Sequence, residues 1–415
     1  MSLILKNTID AYIPNYCLSK KGGHVLQKNT CFQCMVNAEM QANHSVCVLL
    51  LIGLISILFF LSGCTRRPSD DSELPFTIVR EYGKSVDWSH ANNLIATVFR
   101  GDDGYFDVMI FDPDSTWEQC LTCNKTEIPQ LHIGNPCWHP SGEYIVFTGE
   151  KAGIPKAFDT SSIPGRGLYH DLYVMNANGT LFWKMYETSN ILTDVQGVIH
   201  PQFSHSGEKL LWSERVGPGD DDRHQWGEWG VKVADFSVVD DTPLINNIQL
   251  YQPGEQAQFY ETHMFSFDGS SVLFAANLLM DQLPTGMDIY SYNLENDVLT
   301  ALTSTYDDWD EHAHYSPDGT SIAWMSSTGF DIDYVSIDDW PQYLITELWL
   351  MNADGSEKTQ LTYFNDSNYS EYTGSRTIVG DSAWSPDGKQ IVAAITYEDS
   401  AGDLVDIQLV MITFT

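Results

Sequence analysis

The sequence predicts an all-β fold, a six-bladed β-propeller with four antiparallel strands in each blade. Two observations lead to this prediction. A short turn recurs six times along the 415-residue chain, and each copy lies between an aromatic residue and an apolar run. The copies are SHANN, HPSG, SHSG, SFDG, SPDG and SPDG, preceded by Trp88, Trp138, Phe203, Phe265, Tyr315 and Trp384. Such repetition is typical of an array of equivalent structural units.

The recurring turn has the chemistry of a β-hairpin. Serine and aspartate side chains accept hydrogen bonds from the backbone of a tight turn. Glycine ends most copies, as at Gly319, and the first copy has Asn93 instead. Both residue types tolerate the left-handed backbone that closes such turns. Each turn therefore joins the first and second strands of one blade.

The segments between the turns supply the remaining strands. Third strands read as DVMIFDPD or ELWLMNADG, and shorter fourth strands read as NILTDV or TQLTYF. The sixth unit ends after its third strand, whereas an extra strand, PFTIVREY, precedes the first unit. We expect this N-terminal strand to complete the last blade, which leaves no open sheet edge. The predicted propeller domain covers residues 76–415.

The N-terminal region predicts export and lipid attachment. Residues 46–64 contain an uncharged apolar core followed by Leu61-Ser62-Gly63-Cys64, which resembles a bacterial lipobox with Cys64 as the lipidated residue. Residues 1–45 form an uncertain leader with Met35 and Met40 as alternative starts, and a membrane-spanning anchor is the competing interpretation. Residues 65–75 are interpreted as a flexible tether. Thr65 after the cysteine favours the outer membrane, facing the periplasm.

The net charge limits the classes of partner, and the cysteine content predicts a disulfide. The formal net charge is −35, which excludes nucleic acid and limits membrane contact to the lipid. A protein, peptide or glycan of the envelope remains as the partner. Among Cys120, Cys123 and Cys137 we expect one structural disulfide and one free thiol, without assigning the pair.

The repeat resembles that of TolB-like propeller proteins. The resemblance rests on the WSPDG turn and on strands such as LWLMNADG, and it extends over about 340 residues. It implies the propeller fold and leaves the function open, because the same repeat occurs in peptidase and lyase propellers. TolB also carries an N-terminal α/β domain, whereas about ten residues separate Cys64 from the first strand here.

Propeller geometry locates the candidate ligand site. The first strand of each blade lines the central channel, and the residue seven positions before the end of each turn is polar in every unit. These residues are Ser85, Asn135, His200, Thr262, His312 and Asp381. The face opposite the hairpins carries the long loops, which are usually functional. The predicted ligand-binding residues are Asn135, His200, Glu261, Thr262, Glu311 and Asp381.

Four histidines in the same strands suggest a metal. His200, His263, His312 and His314 are expected to converge, and neutral imidazoles suit a divalent transition metal. Oligogalacturonide lyases are similar, being propellers that hold manganese on histidines including an HxH pair. Here that pair is His312 and His314, and the resemblance implies a manganese-like ion; Trp309 stands where a further ligand is expected. The alternative is that these histidines only hydrogen-bond neighbouring blades.

Two functions therefore remain. One is a lipid-anchored propeller that binds a partner through its long-loop face, and the other is a metal-dependent enzyme, such as a lyase on an acidic polysaccharide. Few basic residues are available at the mouth for an anionic polymer, which favours binding. They are Lys151, Lys156, Arg166, Arg215, Arg223 and Arg376. Where the aromatics of the long loops are exposed, they suit sugar stacking or protein contact, and some of them are expected simply to cover the blades. These loop aromatics are Trp226, Trp229, Tyr334, Trp340 and Tyr343.

Replacing Cys64 by serine should abolish lipid attachment, because the cysteine thiol is the acceptor of the diacylglycerol. In a Gram-negative host grown with radiolabelled palmitate, the wild-type chain should be labelled and Cys64→Ser should not. Cys137→Ser, which removes a cysteine outside the lipobox, serves as the matched control. Label retained in the Cys64→Ser chain would contradict the lipobox assignment.

Overall fold

The computed structural model describes residues 76–153, 159–189, 195–218, 226–254, 259–334, 340–398 and 407–414. The chain divides into two units between Asp71 and Ser72, and every described residue belongs to the second. The leader, the signal core, Cys64 and the tether lie outside the described residues. None of the helical turns in the described part has the length and apolar character of a membrane-spanning segment.

The described strands form six separate four-stranded antiparallel sheets, which confirms the predicted six-bladed propeller. Blades 1 to 6 follow chain order, and the first strand of each is innermost. The strands are β1 (Phe76–Arg80), β2 (Val86–Trp88), β3 (Ile95–Arg100), β4 (Phe106–Phe111), β5 (Glu118–Cys120), β6 (Ile133–Trp138), β7 (Tyr144–Glu150), β8 (His170–Asn176), β9 (Phe182–Tyr186), β10 (Val198–Phe203), β11 (Lys209–Gly217), β12 (Glu228–Val239), β13 (Thr242–Tyr251), β14 (Tyr260–Phe265), β15 (Ser271–Ala276), β16 (Asp288–Asn293), β17 (Leu299–Ala301), β18 (Asp310–Tyr315), β19 (Ser321–Ser326), β20 (Glu347–Asn352), β21 (Thr359–Gln360), β22 (Thr377–Trp384), β23 (Gln390–Tyr397) and β24 (Gln408–Thr413).

The ring closes through strands from the two ends of the propeller. The sixth sheet has the order β1-β24-β23-β22, so the N-terminal strand β1 supplies the outermost strand of the last blade. β1 pairs antiparallel with β24, with Phe76 opposite Ile412 and Ile78 opposite Val410. The predicted closing strand is therefore confirmed. It covers the edge of β24, which would otherwise present unpaired backbone groups.

The hairpin turns have the hydrogen bonds that their sequences predict. In the fifth blade, the Asp318 carboxylate accepts bonds from the Ser316 hydroxyl at 2.6 Å and the Thr320 amide at 3.0 Å. These bonds lower the pKa of Asp318. Gly319 follows with φ of 71°, and Asn93 takes a similar conformation, φ 53°, in the first copy. The asparagines thus close the first turn without glycine.

The loops on the opposite face contain the short helical turns of the described chain. Each one connects the second and third strands of its blade. They span Asp159–Ser162, Pro284–Gly286 and Trp340–Tyr343. The innermost strands begin at this face, and the channel opens here.

Aromatic side chains fill the spaces between blades. Trp212, Trp229 and Trp324 are almost fully buried. The Trp324 indole also donates a hydrogen bond to Asp310 at 3.0 Å, which satisfies its buried N–H. Burial of such large side chains is worth roughly 2 to 3 kcal/mol each and fixes neighbouring blades against one another.

Of the three cysteines, Cys120 and Cys123 form a disulfide. Cys137 is free and buried in the inner strand of blade 2. Burial raises the pKa of the Cys137 thiol well above its usual value, and the nearby Asp87 carboxylate adds to this. The free thiol is therefore unreactive at neutral pH.

Deleting residues 65–82 should destabilise the propeller strongly, because β24 loses its partner strand. The lost backbone ladder is worth roughly 1 kcal/mol per hydrogen bond, so the free energy of unfolding should fall by more than about 3 kcal/mol. Urea unfolding followed by tryptophan fluorescence measures this. Deletion of residues 65–75 alone, which keeps β1, is the matched control, and equal stability of the two deletions would contradict ring closure through β1.

Candidate functional site

The innermost strands carry a β-bulge where they line the channel. The pairing register shifts in five of these strands, between Gly134 and Cys137, Ile199 and Gln202, Thr262 and Met264, Glu311 and His314, and Val379 and Ser382. In blades 2, 3, 5 and 6 the bulge contains the polar position found by counting back from the turn, and in blade 4 it directly follows Thr262. Bulges re-aim side chains and are frequent beside functional sites.

Three bulge residues adopt a left-handed backbone conformation. The φ angles of Asn135, His200 and His312 are 50°, 48° and 53°. This conformation is uncommon for residues other than glycine, although asparagine and histidine adopt it more readily than most. Its recurrence in blades 2, 3 and 5 shows that the strained backbone belongs to the architecture of the channel.

The four predicted histidines lie in one cluster. Ring centroids are 5.4 Å apart for His200 and His312, 5.8 Å for His263 and His312, and 6.3 Å for His263 and His314. His200 and His263 are buried, and His312 and His314 are partly buried. Blades 3, 4 and 5 therefore bring these imidazoles to the same part of the channel.

Two glutamates complete the cluster. Glu261 Oε1 lies 3.0 Å from His200 Nε2 and 3.8 Å from His312 Nδ1. Glu311 Oε2 lies 3.8 Å from His312 Nε2 and accepts a hydrogen bond of 3.0 Å from the Trp309 indole. The tightest donor set is thus His200, Glu261 and His312, whose ligand atoms all lie within 4.8 Å of one another.

The predicted ligand residues Asn135 and Thr262 position His200. Asn135 Nδ2 lies 3.3 Å from His200 Nε2 and 3.3 Å from Ser85 Oγ. The Thr262 hydroxyl donates to the backbone carbonyl of His200 at 2.9 Å, and its amide donates to Ser213 Oγ at 2.8 Å. The sequence did not predict Ser213, on the second strand of blade 3, as a site residue, because only its contact with Thr262 in the folded chain shows that it helps to hold this strand.

Asp381 connects three blades. Its carboxylate accepts hydrogen bonds from the backbone amides of Val86, at 3.0 Å, and Ser382, at 2.9 Å. Its Oδ1 also lies 3.1 Å from His314 Nε2. Asp381 therefore links blade 6 to blades 1 and 5, and it holds the His314 ring at the edge of the cluster.

Burial disfavours the charged forms of His200, His263 and Glu261. Burial lowers the pKa of His200 to about 3, with a further contribution from His312, and it lowers the pKa of His263 well below its usual value. Burial also raises the pKa of Glu261 well above its usual value, and the neighbouring Glu311 adds to this. Neutral imidazole is the form of histidine that binds metal ions.

The cluster contains buried donor atoms without hydrogen-bond partners. Among the described residues, neither ring nitrogen of His263 has a partner, and Nδ1 of His312 has none. Leaving such atoms buried and unsatisfied costs roughly 1 to 3 kcal/mol each. Imidazole nitrogens and a carboxylate oxygen are also ligands that a divalent transition metal accepts. The side chains present therefore fit such an ion.

The basic residues expected at the mouth mostly hold the loops in place. Lys151 forms an ion pair of 3.2 Å with Asp171, Arg376 forms one of 2.8 Å with Glu398, and Arg215 donates to backbone carbonyls, including that of Pro218 at 2.9 Å. Arg166 is exposed on the loop between β7 and β8. Lys156 and Arg223 lie outside the described residues.

The loop aromatics pack against the blades. Trp229 is only 2% exposed and packs in the core against Phe259, so it is one of the aromatics that cover the blades. The other four loop aromatics, Trp226, Tyr334, Trp340 and Tyr343, are partly buried. Trp226 and Trp340 both pack against Trp309, with ring centroids 5.5 and 5.2 Å away. They form an aromatic wall beside Glu311.

The fold and the cluster define a six-bladed β-propeller with a histidine and carboxylate site in its channel. No protein-family model and no curated protein matches the chain. Among solved structures, TolB from Acinetobacter baumannii is similar, at 14% identity and a TM-score of 0.47 over 77% of this chain and 63% of that one, less than two thirds of its length.

A TolB structure from Agrobacterium tumefaciens is also similar, at 18% identity and a TM-score of 0.44 over 74% of this chain and 98% of that one. An oligogalacturonate lyase in complex with manganese gives 12% identity and a TM-score of 0.44, over 82% and 91% of the two chains. The predicted resemblance to TolB-like and lyase propellers is thus found again in the structures. It is a likeness of fold.

Replacing Asp381 by asparagine should destabilise the folded chain in a pH-dependent way. Its hydrogen bond to His314 and the nearby histidines outweigh burial and lower its pKa from 3.8 to about 2. A lowered carboxyl pKa stabilises the fold above the unfolded-state value and loses that effect as pH falls through the folded-state value. The difference between wild type and Asp381→Asn should be about 2 kcal/mol at pH 7 and shrink between pH 4 and pH 2.

Urea unfolding at several pH values measures this difference. Asp114→Asn, in an exposed turn, is the matched control and should unfold like the wild type at each pH. A destabilisation by Asp381→Asn that is independent of pH would contradict the assigned pKa.

Proposed function

We propose that the protein is an exported, lipid-anchored propeller that binds its ligand at the long-loop mouth of the channel, through a divalent transition metal. His200, Glu261 and His312 hold the metal in this proposal, with His263 and His314 beside it. The observation that carries the proposal is the convergence of these three side chains within 4.8 Å inside the channel.

A purely structural role for the cluster explains the structure less well. A hydrogen-bonded core would pair its buried nitrogens, yet His263 is 1% exposed and neither of its ring nitrogens has a partner among the described residues. Polar groups in such a place normally find partners. A metal ion bound in the channel supplies the missing partner for at least one of these nitrogens.

The bound metal would act as a Lewis acid toward an oxygen group of the ligand. The side chains and loops around the metal would determine which ligands can enter. The aromatic wall of Trp226, Trp309 and Trp340 excludes water on one side, and the long loops border the entrance. A protein, peptide or glycan of the envelope with an exposed carboxylate or hydroxyl suits this mouth.

The Cys120–Cys123 disulfide supports export. Disulfides persist in oxidising compartments such as the bacterial periplasm and are rare in the cytosol. Together with the lipobox-like sequence at Cys64, the disulfide supports a location in the cell envelope. Attachment through Cys64, and the outer membrane as its site, remain part of the proposal.

A metal-dependent enzyme is the second candidate. One observation favours it: a neutral His200 imidazole lies 3.0 Å from Glu261, whose raised pKa favours the protonated carboxyl. A base and an acid in contact can hold and move a proton beside a bound substrate. An acidic polysaccharide is the substrate class that this candidate implies, with the lyase reaction as its chemistry.

The purified full-length chain, solubilised in detergent, should bind about one equivalent of Mn²⁺ or another divalent transition metal per chain. Metal analysis after dialysis measures this, and metal at 100 times its dissociation constant should stabilise the fold by about 2.7 kcal/mol. His200→Ala and His312→Ala should each lower the affinity at least tenfold, because each removes a ligand.

His205→Ala is the matched control, since His205 is exposed in a hairpin turn on the opposite face. It should bind metal like the wild type. A wild-type chain that stays free of metal under these conditions would overturn both the binding and the enzymatic forms of the proposal. Incubation of the metal-loaded chain with polygalacturonate separates the binding form from the enzymatic form of the proposal. Absorbance from unsaturated products would indicate the enzyme, and its absence would favour binding.

A further inference from the structure

Two basic side chains lie side by side at the channel mouth without a carboxylate partner. Lys84 immediately precedes Ser85, and Arg166 lies on the loop between β7 and β8. The Lys84 ammonium donates a hydrogen bond of 2.7 Å to the backbone carbonyl of Pro164, two residues before Arg166. Within the described part of the chain, neither Lys84 nor Arg166 forms an ion pair.

The loop that carries Arg166 is fixed over the rim of the channel. Pro164 packs so closely on Gly134 that a Cβ added to Gly134 would lie 2.8 Å from the Pro164 Cβ. Gly134 precedes Asn135, which contacts both Ser85 and His200. Lys84 and Arg166 therefore border the same side of the channel as the histidine cluster.

The positive charge of Lys84 also affects the pKa values of residues in the histidine cluster. Burial is the main cause of the raised pKa of Glu261, and the positive charge of Lys84 opposes it. Burial likewise dominates the lowered pKa of His200, and Lys84 contributes in the same direction. Such electrostatic coupling requires that the ammonium lies near both groups.

Two other cations on this face of the propeller have carboxylate partners, unlike Lys84 and Arg166. The chain has 21 basic and 56 acidic residues, and the mouth cations Lys151 and Arg376 are both paired with carboxylates. Lys84 is partly buried, and burial and then the adjacent Arg166 lower its pKa to about 8. Keeping two like charges together costs free energy unless an anion lies between them.

The geometry points to an anion-binding subsite at this rim, in which Lys84 and Arg166 bind a carboxylate group of the ligand. A guanidinium and an ammonium match the two oxygens of one carboxylate. The subsite extends the proposed function, on which it rests only for the assumption that the ligand enters at this mouth. It gives the acidic protein a local preference for an anionic ligand.

D-glucuronate is a suitable probe, because D-glucose has the same ring without the charge. Isothermal titration of the full-length chain in detergent at low salt should detect binding of glucuronate and at least tenfold weaker binding of glucose. The double variant Lys84→Met, Arg166→Gln should weaken glucuronate binding at least tenfold. Arg166→Gln alone, at an exposed position where folding is unaffected, should weaken it at least threefold.

Lys389→Met is the matched control, since Lys389 is exposed on the hairpin face and should not affect binding. Equal binding of glucose and glucuronate, unchanged binding in the variants, or no binding of glucuronate would each overturn the subsite. Equally tight binding of inorganic phosphate would overturn its assignment to a carboxylate.

His312→Ala separates this inference from the proposed metal site. Glucuronate binding that persists in metal-free His312→Ala and disappears in the double variant supports the subsite without the metal. Metal binding that persists in the double variant, combined with no glucuronate binding in the wild type, removes the subsite and leaves the metal proposal standing.

Discussion

The pairing of β1 with β24 is the constraint on which the rest of the structure depends. A propeller blade packs only against its two neighbours, so the ring has a defined channel only when the last blade packs against the first. β1 supplies the outermost strand of the last blade, and Asp381 links that blade to blade 1 at the channel. No single blade contains all of His200, Glu261 and His312, so the distances among them depend on how blades 3, 4 and 5 pack within the ring.

The channel shows how burial changes the chemistry of ordinary side chains. Desolvation disfavours the charged forms of both histidine and glutamate, so His200 and His263 stay neutral and Glu261 favours its proton. Asp381 is equally enclosed but receives two backbone N–H bonds and the His314 ring, and it remains ionised. The difference lies in hydrogen bonding to the charged form, which offsets desolvation only for Asp381.

Much of the fold could be predicted from the sequence, because turn chemistry and strand alternation are local. The six turns set the strand order, and the polar residues that line the channel followed by counting. The contacts among loops could not be predicted in this way. Lys151 and Arg376 are paired with Asp171 and Glu398, which the local sequence pattern does not place beside them, and Trp229 is buried against Phe259, which precedes the next blade. Lys84 was missed because it precedes the first, least regular repeat, where the strand pattern is weakest.

The β-bulge recurs at the channel in most of the inner strands. Five inner strands have a register shift at the channel, and three of them present the channel residue from a left-handed backbone. Asparagine, histidine and aspartate occupy equivalent places at Asn135, His200 and Asp381. Asp381 also links blade 6 to blades 1 and 5, so a change at such a position affects the packing of blades as well as the lining of the channel. One backbone arrangement, repeated around the ring, thus presents different side chains to the same channel.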